Sequence, residues 1–211
     1  MNKLYAFFRG IATITQMFRM KMFWLFTKDS KHPVATYATP IDISYGLKRG
    51  TRYKRDPSWR DPIFHPQWIE RKLSLEKRIG DCDDHAIYWC AALIKSGLAK
   101  KVWFSGFGYM NAQNQFKGHA VCVFIGLDDK MYWADYTDPK LVTVDSNNIV
   151  PDGFEWVIQG VKDYGRKFRS ARMIEITGLN KRETPRFGKV TYFKPERDMT
   201  ADELREGKLS S

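Results

Sequence analysis

Cysteine is scarce in this chain: three in 211 residues, Cys82, Cys90 and Cys122, with no CxxC pair. So few thiols in so long a chain exclude a disulfide framework, and the missing pair argues against a structural zinc site. Long apolar runs are also missing. The longest uncharged stretch near the N-terminus, Gly10–Phe18, is broken by Thr and Gln and falls short of the roughly 20 apolar residues a spanning helix needs. The same region lacks the apolar centre and small-residue cleavage site of a signal peptide, so a cytoplasmic location is expected, with a periplasmic or membrane-peripheral one as the alternative. Acidic residues are absent from Met1 to Lys28, where five basic residues stand. No internal repeat or low-complexity segment is present, which excludes solenoid architectures.

What is present suffices for a core: 43% of residues are hydrophobic and 15% aromatic. The net charge of +11 favours an anionic partner without naming one. Leu4, Phe7, Phe8, Ile11, Ile14, Phe18, Met22, Leu25 and Phe26 recur at helical spacing, while Tyr5, Met17, Phe23 and Trp24 fall off that stripe. Residues 1–28 therefore read as an amphipathic helical segment. Its stripe, over residues 3–26, is expected to pack on its own domain or on a sister subunit; docking on a membrane surface is the alternative. Residues 29–66 carry five prolines and read as an irregular basic arm. Its stretch GLKRGTRYKRDPSWR interleaves Lys48, Arg49, Arg52, Lys54, Arg55 and Arg60 with Tyr53 and Trp59. Such a mix can bind single strands, but a solvated loop or a docking surface for an acidic protein is the simpler reading, and nucleic acid is disfavoured.

From Gln67 the pattern tightens. Helices are predicted over 67–77 and 82–96, the second ending at Gly97. Strands are predicted over 102–109, 119–125, 131–136, 141–144, 154–159, 172–176 and 189–193. Helices followed by a run of strands indicate an α+β core with a mostly antiparallel sheet over residues 67–180. A charged tail follows over 181–211, closed by a short helix with a Thr200–Glu203 capping box.

One stretch carries chemistry. In GDCDDHAIYWC, Cys82 opens a predicted helix, where the macrodipole favours a thiolate. Asp81, Asp83 and Asp84 oppose it by like charge, so a cationic partner is needed. His85 lies one turn along the same helix and is aimed beside the thiol rather than across a cleft. His119, in GHAVCVFIG, shares a strand face with Val121, Val123 and Ile125. In the next strand, MYWADYT, Asp135 shares the face of Met131 and Trp133, an expensive place for an acid unless it is paired. A three-residue loop at 126–128 would oppose Ile125 to Asp129 and so His119 to Asp135, whereas a four-residue loop at 127–130 would put Asp135 on the other face unless a bulge intervened.

Cys at a helix start, His on a strand and Asp on the following strand, in GDCDDHA, GHAVCVF and WADYTD, resemble the bacterial transglutaminase-like cysteine proteinases. The resemblance covers roughly residues 67–140. It implies a papain-like, transglutaminase-like fold, with the catalytic helix packed on the sheet. It also implies a Cys82 nucleophile, His119 as base and then acid, and Asp135 as the orienting group. The reaction would pass through a thioester on a protein or peptide substrate, with water as acceptor in a peptidase or amidase, or an amine in a transglutaminase-like cross-link. A non-catalytic binding module on the same fold is the competing reading. One oxyanion donor would be the Cys82 N–H; Gln67, Trp68 and Trp59 are candidates for the second. No cofactor is required. Some secreted relatives bind calcium through the acids flanking the cysteine, which here are Asp81 and Asp83; the simpler role is helix cap and first-turn acid. Cys90 and Cys122 read as small core residues.

Overall fold

The computed structural model describes residues 15, 17–22, 24–25, 31–50, 63–74, 80–136, 138–143, 148–164 and 167–206. In chain order its elements are α1 (Pro40–Gly50), α2 (Pro66–Ser74), α3 (Cys82–Ser96), β1 (Ala99–Met110), β2 (Phe116–Gly126), β3 (Met131–Ala134), β4 (Lys140–Leu141), α4 (Trp156–Tyr164), β5 (Lys167–Leu179), β6 (Pro185–Phe193) and α5 (Ala201–Glu206). The described residues between 15 and 25 are also helical. The six strands form one sheet in the order β4-β3-β2-β1-β5-β6, and every neighbouring pair is antiparallel. The architecture is α+β, as the order of the patterns predicts.

Each face of the sheet buries a different core. Along β2 successive side chains alternate: Cys122 and Phe124 turn toward α3, Val121 and Val123 toward α4. Helix α3 is apolar nearly all round, and Ala86 to Leu93 are completely buried. Such a helix needs cover on every side. The sheet covers one side, and α1, α2 and the N-terminal helix contribute to the other. Its C-terminus stops at Gly97, in the left-handed conformation (φ +64°), whose N–H bonds the Leu93 and Ile94 carbonyls.

Several expectations are corrected. Residues 154–159 are not a strand: helix α4 covers Trp156–Tyr164. Phe154, Trp156 and Ile158 mimic a period of two, but Val157, Gly160 and Val161 are buried as well, and the pairs Trp156/Gly160 and Val157/Val161 repeat at helical spacing. Gly160 is small because the Phe107 ring packs there, 3.1 Å from where a Cβ would stand. The arm is not wholly irregular, since α1 lies within it. Thr39 and Asp42 cap α1 reciprocally: Asp42 N donates to Thr39 Oγ1 (3.3 Å) and Thr39 N to Asp42 Oδ2 (2.8 Å). Pro40 occupies the first helical position, where its missing N–H costs nothing. Strands β3 and β4 are shorter than predicted, and the sheet continues past residue 180 through β6. The Thr200–Glu203 capping box is present, with bonds of 2.7 and 3.2 Å, and docks Leu204 into the core.

The N-terminal helix presents an inversion. Met20 and Trp24 are buried and Met17 packs beside them, whereas Phe18, Met22 and Leu25 of the main stripe face outward. Of the predicted stripe, Phe18, Met22 and Leu25 are therefore not on the face packed on this domain, and its other members lie outside the described residues. Residues 1–14 and 51–60, with Trp59 and most of the basic-aromatic stretch, lie outside the described residues, as do residues 75–77 of the helix predicted over 67–77 and Val144.

Candidate active site

The candidate site is built where β3 stops short. Strand β2 pairs with β3 only over Cys122–Ile125, so its first half, carrying His119, has no β3 partner. Beyond Ala134 the chain leaves the ladder. It carries Asp135 to His119 on the α4 face and its backbone toward α3 on the other.

The connecting hairpin differs from the predicted one by a single loop position. Leu127, Asp128 and Asp129 form the loop, closed by bonds from Gly126 N to Lys130 O (2.9 Å) and from Asp129 N to Gly126 O (3.2 Å). Asp129 sits at φ +63°, the left-handed residue that ends this kind of three-residue turn. Ile125 therefore pairs with Met131 rather than Asp129, and Cys122 with Ala134. The register moves by two residues, so the face is kept although His119 and Asp135 are not directly opposed. Asp135 reaches His119 diagonally: Nε2 of His119 lies 3.4 Å from Asp135 Oδ2.

Asp135 is completely buried. A carboxylate there needs partners, and His119 and Tyr164 supply two, while the backbone carbonyl of the same residue is also bonded. His119 takes Oδ2, and the Tyr164 hydroxyl, from the end of α4, donates to the same oxygen. The Asp135 carbonyl accepts a bond from Trp89 Nε1 of α3 at 2.6 Å. The Tyr164 ring lies on His119 with centroids 4.1 Å apart, and Phe107 meets His119 edge-on at 5.9 Å. Burial, and then the bond to Asp135, hold the Tyr164 phenol well above its usual range. It therefore stays protonated and can only donate to the carboxylate. With Nε2 facing Asp135, Nδ1 is the nitrogen of His119 left for proton exchange.

Cys82 is the first residue of α3 and is partly exposed. Two of the acids beside it are occupied by the fold. Asp81 is the N-cap and accepts from Asp83 N (3.4 Å). Asp84 is fully buried and accepts from Phe64 N (2.7 Å), which fixes the approach of the 63–65 segment. Gly80 has φ +114°, and a Cβ there would fall 1.8 Å from Asp84 Oδ2, so only glycine fits before this turn. No group of three or more His, Cys, Asp or Glu side chains among the described residues is placed to hold a metal ion. Asp81 is the N-cap of α3 and Asp83 an acid of its first turn.

His85, one turn along α3, stands 6.3 Å edge-on from Tyr136, which meets His119 in the same way at 6.4 Å. It is 1% exposed, and neither ring nitrogen has a hydrogen-bond partner among the described residues. Burial pushes its pKa down to about 4; nearby Asp135 and Asp81 oppose that and His119 adds to it. A neutral, enclosed imidazole is no general base for a solvent-accessible thiol.

Gln67 is turned away from the cysteine. Its amide donates to Glu183 (3.1 Å), which also holds Lys95 in the last turn of α3, at the opposite end of that helix from Cys82. Trp68 stacks on Phe64 at 5.8 Å, with Lys72 and Arg71 over its ring. Tyr164 and Trp89 are the partners of Asp135 that sequence reading did not find. Tyr164 closes a segment whose false period of two concealed its helix. Cys90 and Cys122 are fully buried, facing each other across the α3–β2 contact with sulfurs 3.5 Å apart.

No protein-family model matches the chain, and no curated protein is similar to it in sequence.

Proposed function

We propose that this protein is a cysteine-dependent hydrolase of peptide or amide bonds, built on a papain-like, transglutaminase-like core and acting through Cys82, His119 and Asp135. The observation that carries this reading is the buried His119–Asp135 pair at the open end of β2, with Asp135 also tied to α3, the helix that Cys82 begins.

In this mechanism the α3 dipole and the His119 imidazolium favour the Cys82 thiolate. Sulfur attacks the substrate carbonyl, and the Cys82 N–H receives part of the oxyanion charge. His119, holding the proton at Nδ1, delivers it to the departing amine, leaving a thioester. Water then attacks with His119 as base, and the acid product leaves. Asp135 fixes the ring through Nε2 and stabilises its cationic form. An amine in place of water would give transamidation with the same residues. No calcium is required.

The test is thiol alkylation. Because Cys90 and Cys122 are completely buried, iodoacetamide on the folded protein reads Cys82 alone. The expected result is an alkylation rate that stays high below pH 7 and drops at least about tenfold in His119→Ala, with Cys82→Ala unlabelled. A Cys82 that alkylates only as an ordinary thiol, with a midpoint near 8.5 and indifferent to His119→Ala, would sink the proposal.

A further inference from the structure

The N-terminal helix carries two apolar faces, and only one is used by the fold. Trp24 anchors the inner face: its Nε1 donates to the Ile63 carbonyl (2.9 Å), and its ring stacks on Phe187 at 5.8 Å and meets His65 edge-on. Met20 is buried beside it. The outer face shows Phe18 (63% exposed), Met22 (42%) and Leu25 (55%). At 3.6 residues per turn these three fall within an arc of about 60°, with Arg19 on one side and Lys21 on the other. Both basic residues are exposed. Three large apolar side chains in one outward row, bordered by Arg19 and by Lys21, whose ammonium lies 5.7 Å over the Phe187 ring, form a continuous surface with no partner among the described residues rather than scattered exposure.

We propose that this face docks the protein on an anionic lipid surface, with Phe18, Met22 and Leu25 entering the headgroup–acyl boundary and Arg19 and Lys21 contacting lipid phosphates. Charge complementarity selects this occupant. Residues 1–28 contain five basic residues and no acidic one, and the chain as a whole is +11. A symmetric pairing of two copies through the same patch would set those cations against each other with no acid of the segment to neutralise them. A bilayer rich in anionic headgroups satisfies the apolar row and both cationic borders together. The helix would lie on the surface rather than cross it: no helix among the described residues is long and apolar enough to span a membrane.

Flotation of the full chain with vesicles tests this. Binding is expected to phosphatidylcholine vesicles containing phosphatidylglycerol, to fall with added salt, and to be at least about tenfold weaker on phosphatidylcholine alone. The triple variant Phe18→Ser, Met22→Ser, Leu25→Ser should lose at least about tenfold in anionic-vesicle binding. Because all three side chains point outward, its thermal midpoint should stay unchanged. Arg19→Glu should weaken binding roughly tenfold. Equal binding to neutral and anionic vesicles, or binding to neither, overturns the proposal. So does a dimer in sedimentation equilibrium that the triple variant dissociates while vesicle binding persists.

Discussion

Acidifying the protein should unfold it partly through one side chain, His85. Its pKa is about 4 in the fold against 6.5 for an ordinary histidine, because burial outweighs the attraction of Asp135 and Asp81. Between those two values the unfolded chain holds a proton at this position that the folded chain does not. Stability is therefore complete above 6.5, falls as the pH drops toward 4, and changes no further through this group below that. At about 1.4 kcal/mol per pH unit, the interval corresponds to a loss of about 3 kcal/mol, a large share of the 5–15 kcal/mol typical of a domain. Carboxylates titrate in the same range, so the effect must be isolated by difference. Urea denaturation of the wild type and of His85→Met, repeated from neutral pH down to 4, supplies it. The variant should be at least as stable at neutral pH, since the imidazole it replaces has no hydrogen-bond partner among the described residues. Its stability should fall by about 3 kcal/mol less on acidification. An NMR titration of the His85 ring gives the midpoint directly. Parallel stability curves for the two proteins, or a midpoint near 6.5, would refute the reasoning.

Tyr164→Phe removes the hydroxyl that holds Asp135 Oδ2 while keeping the ring on His119. Cys82 alkylation should slow by roughly tenfold, with its pH profile displaced and the fold retained by circular dichroism. A profile unchanged in both rate and midpoint would leave Tyr164 a packing residue only. Gly80→Ala forces a Cβ onto the Asp84 carboxylate at a positive φ, and should cost at least about 2 kcal/mol by urea denaturation. Thr200→Ala removes the cap of α5 and should cost about 1 kcal/mol by the same measure. A thiol-reactive chromophore should titrate one cysteine quickly in the native protein and three after denaturation, because two of the three are wholly enclosed.

Local signals explain what could be read without coordinates. Helix α3 was legible because Asp81 and Gly97 bracket an apolar run, and side-chain chemistry at those two positions suffices to start and stop a helix. The shared face of His119 and Asp135 was legible because strand alternation has a period of two, which survives a register shift of two. The register itself was not. It depended on whether Gly126 or Leu127 began the turn, and Asp129 took the left-handed position that glycine more often fills. Helix α4 was misread because Phe154, Trp156 and Ile158 alternate in sequence, and the burial of Val157, Gly160 and Val161 as well shows only once the segment packs on the sheet.

Composition and spacing alone determined the scarcity of thiols, the excess of positive charge, the α+β order of elements and the shared strand face of His119 and Asp135. Those depend on the chain's own periodicities and end signals. Tertiary structure decided what long-range contacts control. It turned Phe18, Met22 and Leu25 of the N-terminal stripe outward, because Trp24 packs on the 63–65 segment and β6 with Met20 buried beside it. It enclosed His85, committed Asp81 to capping and Asp84 to the Phe64 backbone, and brought Tyr164 from a distant helix onto Asp135. Each of these rests on which surfaces meet across the sheet, and that information is not local in the sequence.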